Sequence, residues 1–287
     1  MSGSLTKVEL SNLDKILYPQ LGITKGQIIE YYIKIAPKLL AVIAQRPLVL
    51  TRFPDGIGKE GFYEKDAPLG TPSWVKTMKR FSETANRTIN YVVCDDLDTL
   101  VWIANLASLE IHMTLGQVNS FENPDLVFFD IDPEPPASFD DVIEVALLLK
   151  QKLQNLGLKS YVKTSGKKGL HVVLPIVPKY SFRQTREFVH QIAKHVAGEL
   201  PLVVSEFLRT KKPGTIFVDY LQNSHGKTMI CPFSLRATPE ATVSMPLDWH
   251  EIKKGLKPHD LNIFSAPKKK ENPWEDLVEN RQKLEVS

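Results

Sequence analysis

Only two cysteines, Cys94 and Cys231, occur in the 287 residues. Two isolated cysteines in apolar, strand-like runs fit neither a disulfide framework nor a zinc site, so a reducing cytoplasm is the expectation. The chain has no apolar run near the ~18 residues of a membrane span. Its start, Met1-Ser2-Gly3-Ser4, has neither the charged nor the apolar region of a secretory signal. Another absence is local. From Asp95 to Glu144 there are twelve acidic residues and no Lys or Arg. From Lys163 to Arg236 the bias reverses, with twelve Lys or Arg against four acids, although the whole chain carries only +3. Carboxylates for divalent cations beside cations for phosphates would suit nucleotide chemistry. The blander alternative is two solvated faces that attract each other in the fold.

The hydrophobic periodicity then divides the chain. Thr24 is placed to cap a helix over about 25–44, with Ile28, Ile29, Tyr32, Ile35, Leu39 and Val42 at helical spacing and Pro37 expected to kink or divide it. Residues 47–53, 61–64 and 88–93 read as strands, and the polar, basic segment Lys76 to Arg87 between the last two reads as a mobile loop. Asp96 opens a helix predicted to run towards Leu109, which puts His112 at the end of an acidic helical segment.

The second half alternates more regularly. Leu126 to Ile131 is a buried strand, and Ser138 with Asp141 resembles a capping box for a helix that Gly157 ends. Strands near 160–163 and 170–174, a helix over about 182–199 and a strand over 215–220 complete a βαββαβ order, the split pattern of ferredoxin-like and RNA-recognition folds. Beyond Trp249 the chain is richer in Lys, Pro and Glu and reads as a short helix or tail.

Three groups of residues stand out chemically. Asp130 and Asp132 are two apart on a strand, so both carboxylates leave the same face while Ile131 goes to the other. Asp219 is a third acid on an otherwise apolar strand, where an unpaired charge is costly. Hard oxygen ligands of this kind suit Mg²⁺ or Mn²⁺, and three of them can bridge two ions for phosphoryl displacement. The run Lys163-Thr164-Ser165-Gly166-Lys167-Lys168-Gly169-Leu170-His171 joins two predicted strands. Its glycines let the backbone approach an anion, with Ser165, Lys168 and His171 as candidate donors; a plain hairpin with exposed lysines is the alternative. Arg236 is a candidate second phosphate clamp.

These motifs together resemble the polymerase domain of the bacterial ligase D family, part of the archaeo-eukaryotic primase superfamily and of non-homologous end joining. The resemblance rests on Phe129-Asp130-Ile131-Asp132-Pro133, Val162 to Gly166 with Gly169-Leu170-His171, and Val218-Asp219-Tyr220-Leu221 with Asn223. It extends to Leu13-Asp14-Lys15, Ile23 to Gly26, Tyr31-Tyr32, Arg52 to Gly56 and Asp95-Asp96-Leu97, and covers residues 10–249.

The resemblance implies one α/β (α+β) primase-polymerase domain over 1–287 with an RNA-recognition-like catalytic sheet. An N-terminal α/β module for template and 5′-phosphate would span 1–94, the catalytic core 95–249 and a tail 250–287. It implies two Mn²⁺ or Mg²⁺ ions on Asp130, Asp132 and Asp219, with His112 near the primer terminus and the incoming nucleotide. Ser165, Lys168, His171, Arg236, Arg52 and Gln222 would serve the NTP or dNTP. Lys15 and Lys25, with Asn12, would grip a 5′-phosphate, and Phe62 and Tyr63 would stack on the template. Lys79, Arg80, Arg209, Lys211 and Lys212 would belong to loops steadying DNA ends and primer.

The implied activity is template-dependent gap filling at double-strand breaks, with preference for ribonucleotides. The implied partners are double-stranded DNA ends, gapped DNA with a 5′-phosphate, a Ku-like end-binding protein and a separate DNA ligase; the implied setting is a prokaryotic, nucleoid-associated cytoplasm, with no membrane. The alternatives are a primer-synthesising primase and a non-enzymatic end-bridging module. Gln222 stands where an arginine is usual, and Met113-Thr114 replaces a common Pro-Trp. No Lys-x-Asp-Gly adenylation motif occurs, so a stand-alone polymerase module is expected.

Overall fold

The computed structural model describes residues 7–82, 86–207, 210 and 212–285. In chain order the elements are β1 (Ile16–Tyr18), β2 (Ile23–Thr24), α1 (Lys25–Ile43), β3 (Pro47–Arg52), β4 (Phe62–Glu64), β5 (Thr77–Ser82), β6 (Arg87–Val93), α2 (Leu97–Asn105) and β7 (Ser108–Thr114). There follow β8 (Leu126–Pro133), α3 (Phe139–Asn155), β9 (Tyr161–Thr164), β10 (Leu170–Pro175), α4 (Phe182–Glu199), β11 (Val203–Val204), β12 (Ile216–Asp219), β13 (Thr228–Ile230) and β14 (Pro246–Leu247).

Two six-stranded sheets organise the molecule. In the first the order is β11-β12-β8-β10-β9-β14. Its four central strands pair antiparallel, which realises the split βαββαβ order expected from the sequence, with α3 and α4 packed behind it. Ser138 and Ser181 both cap through reciprocal boxes, with Asp141 and Gln184 reaching back to the cap backbone. In the second sheet the order is β13-β7-β3-β6-β5, with β4 added against β3. One continuous apolar core runs through both.

The segment from β13 to β14 ties the sheets together, because β13 pairs with β7 and β14 with β9. Tyr31 and Tyr32, buried on α1, donate their hydroxyls to Phe233 O and Leu109 O at 2.7 Å each. A second tie is ionic. Arg46 grips Asp125 with two bonds of 2.7 Å, both side chains are fully enclosed, and Arg281 adds a third contact at 3.0 Å. Losing one partner of such a pair leaves a buried charge, typically at ~3–5 kcal/mol.

Four expectations need correction. Pro37 does not divide α1, which is continuous from Lys25 to Ile43. The predicted run from Asp96 to Leu109 is a helix only to Asn105; Ala107 turns the chain at φ 57°, and His112 lies on strand β7 rather than at a helix end. The basic segment from Lys76 is not a loop through its length: Thr77–Ser82 forms β5, paired residue for residue with β6, with Met78 buried against it. Its side chains alternate, Met78 turned inward and Lys79 outward, which is strand behaviour hidden by polar composition. The residues after Trp249 take the short-helix alternative, with 3-10 turns at Trp249–Glu251, Pro258–Asp260 and Ala266–Lys268, and are not a tail apart from the core: Trp274, Leu277 and Leu284 are buried and Trp274 Nε1 donates to Val162 O at 3.1 Å.

Candidate active site

A single row of paired residues crosses the first sheet: Asp219 opposite Asp130, Asp130 opposite His171, His171 opposite Lys163, and Lys163 opposite Pro246. Directly opposed residues share a face with Cα atoms roughly 4.5–5.5 Å apart. Asp132 lies two residues along β8 and is opposed by Phe217, so it joins the same face. The register therefore gathers three carboxylates from two strands, while Ile131 and Val218 point into the core.

The electrostatics follow from enclosure. Burial pushes the Asp130 carboxyl up to about 6, against the pull of Lys163 and Arg236. Burial also raises Asp219, and the neighbouring Asp130 and Asp132 charges add to it, offset by hydrogen bonds from Gln222 and Leu221 N–H. Gln222 Nε2 is 3.1 Å from Asp219 Oδ2. His171 Nε2 stands 3.2 Å from Asp130 Oδ1, its Nδ1 is buried without a partner, and burial beside Lys163 and Arg236 holds it far below the usual histidine range. Lys163 is wholly enclosed and donates to Ser244 Oγ at 2.6 Å; burial depresses its ammonium strongly.

Above this row stands β7. Its Glu110 carboxylate is 3.1 Å from Arg236 Nε, 3.4 Å from His112 Nε2 and 3.9 Å from Lys167 Nζ. Arg236 Nε is close enough for an ion pair but is not aimed for a hydrogen bond. Burial alone would raise Glu110; the His112 hydrogen bond and the Arg236 and Lys167 charges overcome it and hold the carboxyl at about 2. Burial keeps His112 below its ordinary value, and its ring lies 5.8 Å from that of Tyr63, edge to face. The acid-rich and base-rich stretches of the sequence thus meet in one cleft.

The loop between β9 and β10 closes one side. Gly166 has φ +75°, and a Cβ there would come within 2.5 Å of Arg236 Cγ. A Cβ on Gly169 would fall 2.3 Å from Ile131 O, so only glycine lets the loop press on β8. Ser165 Oγ accepts from Gly169 N–H at 3.0 Å and Lys167 N–H at 3.3 Å, which leaves its own proton to donate. Lys168 is exposed beside it.

Other predicted residues lie elsewhere. Lys15 and Lys25 meet at the start of α1, where Lys25 N–H donates to Lys15 O at 2.8 Å. Lys15 pairs with Asp55 at 2.7 Å; Lys25 is buried on Ser11 and Asn105 O, and burial, then the Lys15 charge, lowers it. Asn12 contributes a turn at φ 52° that accepts Lys15 N–H. Arg52 is engaged with Glu64 at 3.0 Å and Leu106 O at 3.0 Å, and its guanidinium lies 5.2 Å from the Phe62 ring. Phe62 and Tyr63 are both about half exposed on β4. Lys79 and Arg80 project from β5, and Lys212 is exposed in the turn before β12. Arg209 and Lys211 lie outside the described residues.

Among the described residues, one group of three His, Cys, Asp or Glu side chains offers ligand atoms all within 4.8 Å: Asp248, His250 and Glu251. This group could hold a divalent cation, although Glu251 is already bound to Lys269 and to Asp248 N–H. Asp130, Asp132 and Asp219 do not all approach to that distance. Sequence reasoning missed Glu110 and treated Lys163 only as part of a loop motif. Glu110 had a signal: Ser108, Glu110, His112 and Thr114 alternate with Leu109, Ile111 and Met113.

Comparison with known proteins identifies the family. Residues 24–277 match the family described as LigD, primase-polymerase domain. The chain belongs to the LigD primase-polymerase family. It is 32% identical over 281 residues to a bifunctional non-homologous end joining protein LigD of Bacillus subtilis, covering 96% of this chain and 45% of that protein. It is 35% identical over 263 residues to a multifunctional LigD of Mycobacterium tuberculosis, covering 88% of this chain and 34% of that protein. The chain thus spans less than half the length of these relatives. The solved polymerase domain of Mycobacterium tuberculosis ligase D in complex with DNA superposes with a TM-score of 0.89 at 31% identity, over 96% of this chain and 99% of that one. Membership of this primase-polymerase family places the chain among nucleotidyltransferases. No helix among the described residues is long and apolar enough to cross a membrane.

Proposed function

We propose that the chain extends a primer 3′-hydroxyl on a DNA template, filling gaps at broken ends. The observation that carries this reading is the cross-strand pair Asp130–Asp219 with Asp132 on the same face, beside the Ser165–Gly169 loop. Three carboxylates on rigid, hydrogen-bonded strands are a hard-oxygen donor set suited to Mn²⁺ or Mg²⁺, and a carboxyl lifted to about 6 by burial is one that a cation would return to its charged form. Divalent ions held there would acidify the attacking hydroxyl and neutralise the departing pyrophosphate.

The chain's own residues do the rest. Ser165 and Lys168 bind triphosphate oxygens at the loop, and Arg236, kept in place by Glu110, adds a guanidinium from the other wall. His171 orients Asp130, and Gln222 fixes Asp219. His112, hydrogen-bonded to Glu110 and held below its ordinary pKa by burial, reads the 2′-hydroxyl in this proposal, which would give the preference for ribonucleotides. Lys15 and Lys25 take the 5′-phosphate at the far edge of the gap, and Phe62 and Tyr63 carry the bent template. Family likeness supports DNA ends, a Ku-like protein and a ligase activity as partners of the reaction.

An extension assay on a gapped duplex with Mn²⁺ tests the reading. The wild-type chain should add nucleotides and Asp219→Ala should not, while both retain the duplex. Absence of incorporation by the wild type at every metal and nucleotide concentration would leave only an end-binding role.

A further inference from the structure

The catalytic face carries aromatic rings that the proposed roles above do not use. Phe217 opposes Asp132 across the strands and lies two residues before Asp219, so its ring leaves the sheet on the acid face. Phe207, three residues beyond β11, is 61% exposed and meets Phe217 edge to face with ring centroids 6.4 Å apart. The two rings line one small recess of about 50 Å³ together with Val204, Thr215, Lys212 and the acids Asp132, Glu134 and Glu206. Its mounting is firm: Val204 pairs with Phe217, Glu134 N–H donates to Thr215 O at 2.8 Å, and Glu206 next to Phe207 is held by His190 at 3.0 Å.

We propose that Phe207 and Phe217 form the stacking platform for the base at the 3′ end of the primer, an inference that rests on the polymerase reading. The order of parts across the sheet argues for this occupant. The triphosphate loop lies on the β9–β10 side, the aspartates stand in the middle, and the rings lie on the β12 side. In phosphoryl transfer the attacking and leaving oxygens are roughly in line. A leaving pyrophosphate on the β9–β10 side therefore requires the primer hydroxyl to arrive from the β12 side, with its own base one sugar further out. An exposed ring there offers a π-face that any of the four bases can use, as a primer terminus of variable sequence demands. Three acids line the recess and would repel a phosphate within it, so the rings and not the charge carry the proposal; the exposed Lys212 is the cation beside them.

The test uses a gapped duplex with 2-aminopurine as the 3′-terminal primer base, mixed with the whole chain without nucleotide. Wild-type protein should quench the probe, and Phe207→Ala should relieve the quench and weaken primer-template affinity roughly 5- to 150-fold, the loss of about one base–aromatic stack. Phe207→Trp should restore both. In extension, the defect should appear in KM for the primer-template and not in KM for the nucleotide. Wild-type quenching and affinity in Phe207→Ala overturn the platform. Asp130→Ala, measured in parallel, should keep the terminal quench while losing extension. A wild-type chain that extends primers while Phe207→Ala behaves normally loses only the platform; a wild-type chain that never extends loses the polymerase reading itself.

Discussion

Two basic regions of the molecule handle charge in opposite ways. In the cleft, Lys163 and His171 are buried and Arg236 is largely enclosed, and the carboxylates among them are shifted in opposite directions, Glu110 down to about 2 and Asp130 up to about 6. At the start of α1, Lys15 is 43% exposed on its side chain and its partner Asp55 is 71% exposed. An exposed pair of that kind contributes little to stability and is screened by salt. The cleft is preorganised at the expense of stability; at the α1 corner the Lys15–Asp55 pair is exposed and loosely held.

The sharpest test of this contrast is removal of an acid. Asp130→Ala or Asp219→Ala should lower extension by about a thousandfold or more, as loss of electrostatic stabilisation at the reacting atoms does, with duplex affinity in a binding titration nearly unchanged. Retained activity would break the distinction between the regions. Next in size is Glu110→Leu, which strips Arg236 of its counter-ion in an enclosed place; thermal unfolding should show about 3 kcal/mol of lost stability and the KM for nucleotide should rise. An effect of the opposite sign is expected of Asp130→Asn. The folded-state carboxyl titrates above its unfolded value, so its contribution to stability is present below about 4 and lost as pH rises through about 6. At pH 7.5 without metal, the amide should therefore raise stability by about 1–3 kcal/mol, and the same substitution at pH 4 should do little.

The α1 corner should respond more mildly. Lys15→Ala with Lys25→Ala should weaken gapped duplexes bearing a 5′-phosphate by about tenfold and leave open primer-templates alone; equal loss on both would dissolve the assignment. The smallest change belongs to Lys79→Ala with Arg80→Ala on β5. If both contact phosphates, the slope of log affinity against log salt should shrink by about 2, with little change in nucleotide use.

The sequence was most readable where period and chemistry coincide. Phe129-Asp130-Ile131-Asp132 is a strand by its apolar flanks and a same-face pair of carboxylates by its alternation, and the βαββαβ order around it appears in the sheet as read. Strand β7 was obscured by its neighbour. An apolar helix ends only three residues before it, and an acid with a histidine resembled a helical surface until Ala107 turned the chain. Strand β5 was obscured by composition, since an edge strand keeps one row of polar side chains in water. Glu110 was invisible for a different reason. Its importance comes from Arg236, 126 residues away, and no local pattern announces a partner supplied by the crossing between the two sheets.

Trp274 gives the C-terminal segment an unexpected reach. Its indole fastens the backbone of Val162, the residue immediately before Lys163 in the charged row. Tyr180 likewise exchanges bonds with the backbone of Leu284, at 2.9 and 2.8 Å. A protease cut near residue 250 would therefore do more than shorten the molecule. With that segment lost, the strand that carries Lys163 would be unclasped and nucleotide chemistry would suffer from damage more than a hundred residues away along the chain.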